Sequence, residues 1–224
     1  MRLLATKFIS LAFKERLLQQ GFSVVEAPFI SINPLPFHWQ DQSENLIFTS
    51  QNAVRFFLKK HKNNALLISK KYFCVGEKTK TLLVENGQKV IKMTQESVEL
   101  AHFLVKNHKN EPFTFFCGRR RMPHLERQCH QHKIPLHIVE LYETLESPKK
   151  IKTTVDGILF YSPSAVTSFF LENEWPQHAY GFCLGASTAA QLKEHTNQYY
   201  VAQQPNETAL LLTLKKHFFT HAQK

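Results

Sequence analysis

The stretch Leu46-Ile47-Phe48-Thr49-Ser50-Gln51-Asn52-Ala53-Val54 is echoed by Ile158-Leu159-Phe160-Tyr161-Ser162-Pro163-Ser164-Ala165-Val166, an offset of 112 in a chain of 224 residues. Phe73-Cys74-Val75-Gly76 through Thr79 recurs as Phe182-Cys183-Leu184-Gly185 through Thr188, at an offset of 109. Ser23-Val24-Val25-Glu26 recurs more weakly as His137-Ile138-Val139-Glu140, at 114. Three echoes in one order at nearly one spacing predict a tandem duplication. Repeats of this length are whole domains, not solenoid units.

Within each half, short apolar runs alternate with helix-period stretches. Strands are expected at 2–6, 22–26, 46–49, 72–75 and 89–91, then at 112–117, 136–141, 157–161, 180–184 and 198–201. Ala53, Val54, Phe57 and Leu58, and likewise Ala165, Val166, Phe169 and Phe170, carry the i, i+4 stripe of a packed helix. Val98, Ala101, Leu104 and Val105 repeat it, as do Leu210, Leu211, Leu214 and Phe218. Strands buried on both faces and separated by helices predict a parallel-sheet α/β fold. Two segments break the alternation: Ala27 to Pro36 with three prolines, and Tyr142 to Lys150 with Pro148. Both read as extended connectors outside the sheets.

Charge narrows the partners. Lys plus Arg number 28 against 18 Asp plus Glu, a formal +10. Such a balance favours nucleic acid, acidic lipid or a polyanionic small molecule. A hydrophobic share of 43% excludes wholesale disorder. Cys74, Cys117, Cys129 and Cys183 form no C-x-x-C pair, so neither a disulfide scaffold nor a metal knuckle is expected. Free thiols point to a reducing cytoplasm. No apolar run reaches the roughly eighteen residues of a membrane span. Lys7 interrupts the faintly signal-like start, and a soluble cytosolic protein is expected.

Ligands of open parallel sheets bind beyond the carboxyl ends of strands, where helices begin. Four hydroxyl-rich turns fall there: those holding Ser50 and Asn52, Ser162 and Ser164, Thr79, and Ser187 with Thr188. Each side chain can simply cap a helix, an effect of about 1 kcal/mol. Together they would offer several helix amino termini to carboxylate or phosphate. Gly118-Arg119-Arg120-Arg121 ends another strand, as a solvated turn or as an anion clamp. Lys59–Lys62 and Lys70–Lys71 read as solvated helix ends, and His124, His130 and His132 as surface residues. The sequence contains no P-loop, G-x-G-x-x-G, H-E-x-x-H or G-x-S-x-G motif. An enzyme of this composition would work by positioning and backbone electrostatics.

LIFTSQNAV and ILFYSPSAV, the turns FCVGEKT and FCLGAST, and the segment Leu141-Tyr142-Glu143-Thr144 together resemble the uroporphyrinogen-III synthase family. The likeness runs in order over nearly the whole chain. It implies two flavodoxin-like, doubly wound domains joined by two extended connectors: residues 1–31 with 147–224, and an inserted domain at 35–142. It further implies cyclisation of hydroxymethylbilane, a linear tetrapyrrole polycarboxylate, to uroporphyrinogen III. The last ring is inverted and water lost, with no metal and no cofactor. Tyr142 matches the family's connector tyrosine, a candidate acid for the departing hydroxyl. Thr79 and Thr188 match its cleft-facing threonines, and Ser50, Ser162 and Ser164 its strand-end serines. Asn52 and Ser187 share those turns as further substrate-binding candidates. The family's Thr-Arg-Pro is here Thr6-Lys7-Phe8, and its Arg-Gly is Cys117-Gly118. Lys7 and Arg119 are left to supply that charge. The expected partner is the tetrapyrrole alone, bound by a monomer without nucleic acid or membrane. Two other readings compete: a basic two-domain module for nucleic acid or a polyanion without turnover, and a ligand-sensing α/β protein. The first requires a steep salt dependence and exposed aromatics for stacking.

Overall fold

The computed structural model describes residues 1–39, 43–61 and 64–220. Lys62, one of the expected solvated lysines, lies outside them. The chain forms two compact units, Met1–Ser31 with Leu145–Lys224, and Ile32–Thr144.

The first unit holds β1 (Arg2–Ala5), α1 (Leu11–Gln19) and β2 (Ser23–Glu26). The chain passes through β3 (Ile30–Pro34) into the second unit. There follow β4 (Asn45–Phe48), α2 (Gln51–His61), β5 (Lys71–Val75), α3 (Glu77–Glu85), β6 (Val90–Thr94), α4 (Ser97–Asn107), β7 (Phe113–Gly118) and α5 (His124–Gln131). β8 (Leu136–Glu146) leads back. The first unit is completed by β9 (Gly157–Phe160), α6 (Pro163–Phe170), β10 (Tyr180–Cys183), α7 (Ala186–Lys193), β11 (Tyr199–Val201) and α8 (Glu207–Thr220).

The sheet of the first unit is ordered β11-β10-β9-β1-β2, every adjacent pair parallel. The other is ordered β3-β8-β7-β4-β5-β6, parallel from β8 through β6. Replacing β4, β5, β6, β7 and β8 by β9, β10, β11, β1 and β2 turns one order into the other. The three sequence echoes fall on corresponding strands.

Why these runs form strands follows from how their residues divide. In β4, Leu46 and Phe48 join Phe116 and the α2 residues Val54 and Phe57 on one face. Ile47 joins Phe73, Phe115 and the α4 residues Leu100 and Leu104 on the other. In the first unit Leu3, Leu159 and Phe182 meet Phe13 of α1 and Leu210 of α8. Leu4, Ile158 and Phe160 meet Val166 of α6 and Leu192 of α7. A period-two pattern apolar at every position therefore feeds two cores per sheet, which is why no polar alternation was visible. Burying each large side chain contributes about 1.5–3 kcal/mol.

Four expectations need correction. The proline-bearing segment at 27–36 contains strand β3, which lies at a sheet edge, where a proline costs no ladder bond. The segment from Tyr142 continues β8 to Glu146 instead of leaving the sheet. Lys70 is buried, its Nζ donating to the Ser43 carbonyl at 3.0 Å, and Lys71 opens β5. His124 is half-buried, whereas His130 is exposed.

Candidate active site

In an open parallel sheet the crevice lies where neighbouring strands send their connections to opposite faces. These points are β4/β7 in the inserted unit and β1/β9 in the other.

At β4/β7 the pair Phe48–Phe116 sets the register, and Gly118 pairs with Tyr142 after a bulge at Cys117/Gly118. Ser50 caps α2, its Oγ accepting from the Ala53 amide at 3.1 Å. That oxygen lies 3.0 Å from the Tyr142 hydroxyl. Tyr142 is 9% exposed, and its ring packs beside Phe56 with centroids 5.8 Å apart. Gly118 makes room for it: a Cβ there would stand 2.6 Å from the Tyr142 ring. Burial pushes the Tyr142 pKa above its ordinary value, and the Ser50 hydrogen bond pulls partly against that. The phenol therefore keeps its proton at neutral pH.

The arginine turn does not present an open clamp. Arg119 donates to Glu140 at 3.2 Å and to Glu143 at 2.8 Å. Arg121 donates to Glu140 at 2.7 Å and pairs with Glu126. These bonds hold the Glu140 carboxyl below the usual range, that from Arg121 contributing most. The fork geometry expected for an outside anion is thus met within the protein, and it braces β8 on both sides of Tyr142. Arg120 is exposed.

At β1/β9, Ser162 caps α6, accepting from the Ala165 amide at 3.2 Å. The Thr6 hydroxyl donates to the Leu159 carbonyl at 2.8 Å, tying the two strand ends together. Lys7 places its Nζ 4.3 Å from the centre of the Tyr161 ring and 4.0 Å from Glu207. Ser164 and Ser187 lie in the first turns of α6 and α7.

The glycine turns behave differently from the serine turns. Gly76, at φ +85°, begins α3 in a conformation that other residues resist, and Gly185 begins α7. Neither helix start has a side-chain cap; at α3 the Thr79 amide donates to the Gly76 carbonyl at 3.1 Å. Thr79 and Thr188, expected to face a cleft, are buried at 4% and 3% exposure. Asn52 lies in the first turn of α2 and accepts from Arg55 at 3.5 Å.

Sequence reasoning thus paired no residue with Ser50, and it missed Gly118, Glu140 and Tyr161. Glycine inside an apolar strand was the one available signal for a close approach. Among the described residues no group of three or more His, Cys, Asp or Glu could hold a metal ion. Nor is any helix among them long and apolar enough to cross a membrane.

A family model described as uroporphyrinogen-III synthase HemD matches residues 12–211. The chain belongs to the uroporphyrinogen-III synthase family. Members are cofactor-independent lyases of tetrapyrrole biosynthesis that close the ring with loss of water, and this function is the one the chain carries. Solved uroporphyrinogen-III synthases share the fold. That of Helicobacter pylori 26695 superposes with a TM-score of 0.73 at 20% identity, covering 96% of this chain and 99% of the other. A mutant form from the extreme thermophile Thermus thermophilus gives 0.65 at 16% identity, covering 96% and 98%. A sequence comparison with curated proteins finds no match. The nucleic-acid module is not favoured beside a uroporphyrinogen-III synthase match of this extent.

Proposed function

We propose that Tyr142 is the acid of the reaction and that Ser50 aims it. Loss of the hydroxyl from hydroxymethylbilane requires a proton on the departing oxygen and leaves an azafulvene cation. The substituted carbon of the terminal pyrrole gives its electron pair to that cation, forming a spiro intermediate; this fragments and recloses through the free α-carbon with the ring inverted, and the α-proton is released. Support comes from one chain of hydrogen bonds. Ser50 Oγ accepts from the Ala53 amide and lies 3.0 Å from the Tyr142 hydroxyl, where either oxygen can donate; we take Ser50 as the donor. The phenol proton is then directed away from Ser50, toward substrate. As the proton leaves, the Ser50 bond strengthens on the phenolate and offsets part of the burial penalty.

The remaining catalysis is orientation, for which well-placed intramolecular reactions gain on the order of 7–11 kcal/mol. The uncapped helix starts at Gly76 and Gly185, and the turn residues Ser162, Ser164, Ser187 and Asn52, are of a kind suited to hold acetate and propionate groups. Buried Thr79 and Thr188 would fix those turns from beneath. Arg119 acts through the β8 brace, and Lys7 is assigned directly to substrate.

The two units are read as flavodoxin-like copies of one ancestral domain, with connectors at β3 and β8. Their corresponding strand orders and the offsets of 109 to 114 support this. The first has the order 2-1-3-4-5 in its own strand numbering, as flavodoxin does. Four free buried thiols fit a reducing cytoplasm. The protein is read as a monomer that binds the tetrapyrrole and no nucleic acid. The deciding experiment supplies hydroxymethylbilane from a coupled deaminase and resolves product isomers. Isomer III above the spontaneous background is expected; isomer I alone at the spontaneous rate would sink the reading.

A further inference from the structure

Tyr161 is the residue that the reaction, as assigned so far, leaves unused. Ala5 pairs with Leu159, so two steps further along Lys7 stands opposite Tyr161 at the mouth of the β1/β9 crevice. The ring is rooted against the cluster of Leu3, Leu159 and Leu210. Its hydroxyl oxygen is buried and has no hydrogen-bond partner among the described residues. An unsatisfied buried hydroxyl is a destabilising feature that phenylalanine would remove at once. A partner from outside the protein, water or ligand, would satisfy it.

The surroundings say what kind. Burial, then the charges of Glu207 and Glu26, push the Tyr161 pKa upward, so the hydroxyl stays protonated and serves as a donor. The two carboxylates are occupied elsewhere. Glu26 accepts from Lys14 at 2.7 Å and from the Ile9 amide at 2.8 Å. Glu207 accepts from the Ser10 hydroxyl at 3.2 Å and lies 4.0 Å from Lys7. Charge-assisted bonds are usually near 2.7–2.9 Å, so the Lys7–Glu207 contact is a loose one. A donor hydroxyl beneath an ammonium on a flexible stem matches a single anionic acceptor.

We propose that Tyr161 and Lys7 form a seat for one carboxylate of the tetrapyrrole at the β1/β9 crevice. Lys7 moves from Glu207 toward the incoming carboxylate, which accepts from the Tyr161 hydroxyl. This proposal rests on the uroporphyrinogen-III synthase reading. Tyr161 makes no bond to the reacting carbon; it sets where one acetate or propionate lies, and so which approach the terminal ring takes.

The test uses the full chain and the variants Tyr161→Phe and Lys7→Met, with hydroxymethylbilane kinetics and thermal melting. For Tyr161→Phe the KM rises about tenfold, as for loss of one bond to a charged group. Its kcat changes less than its KM, and its melting temperature is unchanged or higher. Lys7→Met raises KM similarly, and the double variant falls short of the product of the two effects. A Tyr161→Phe protein with KM within twofold of wild type overturns the seat while wild-type turnover stands. So does one that melts earlier with an unmoved KM, the signature of a purely structural hydroxyl. A wild-type chain making no isomer III overturns the family's reaction and the seat together.

Discussion

A single missing Cβ gives Tyr142 its place. Gly118→Ala would put a methyl 2.6 Å from the ring, too close to keep. The ring must tilt and the Ser50 bond lengthen; overpacking of this kind costs about 1–3 kcal/mol. Chemical denaturation should show that loss, and kcat should fall with it. Tyr142→Phe keeps the packing and removes only the hydroxyl proposed as the acid. Its kcat is expected to drop about 10²- to 10⁴-fold, the usual worth of a positioned acid, while KM moves little. Unchanged kcat would remove Tyr142 from the chemistry. Tyr142 was readable in the sequence from its segment, but the contact that aims it was not. Ser50 and Tyr142 lie 92 positions apart, and only the order of strands brings them together. Tyr161 was hidden for the opposite reason. It stands inside a visible motif, but its unsatisfied hydroxyl is a property of packing.

Among elements, β8 is the sheet strand that carries Tyr142. The Arg119 and Arg121 pairs brace it through Glu140, Glu143 and Glu126. The Glu140 carboxyl is held below its ordinary 4.5 by these bonds. A carboxylate depressed on folding stabilises the native state fully above its unfolded pKa. That contribution disappears as pH falls through the folded value. Stability should therefore decline below about pH 4.5, and Glu140→Gln should flatten the decline when melting is followed against pH. An equally steep acid limb in the variant would assign the decline to other groups, Glu26 and Glu111 among them. Most helix and strand positions were legible because the central strands fill two cores and the helices carry apolar stripes. Strand ends were less so: three prolines looked like a connector at 27–36, yet an edge strand tolerates Pro34. The arginine run stayed open between a solvated turn and a ligand clamp because sequence shows donors without the carboxylates facing them.

For the molecule as a whole, charge sets the rate of capture. A formal +10 meeting a polycarboxylate should make kcat/KM fall severalfold between about 0.02 M and 0.3 M salt, with kcat little changed. An unmoved kcat/KM would leave net charge without a part in binding. The repeated motifs were visible from offsets alone, whereas the assembly of two sheets from three stretches of chain needed the pairing of β1 with β9.

That pairing has a consequence for the newborn polypeptide. The Thr6 hydroxyl bonds a carbonyl 153 positions later, whereas the inserted unit is continuous from Ile32 to Thr144. On the ribosome the insert can close while β1 and β2 still lack their neighbour. The lobe that is first to emerge is therefore the last to be finished.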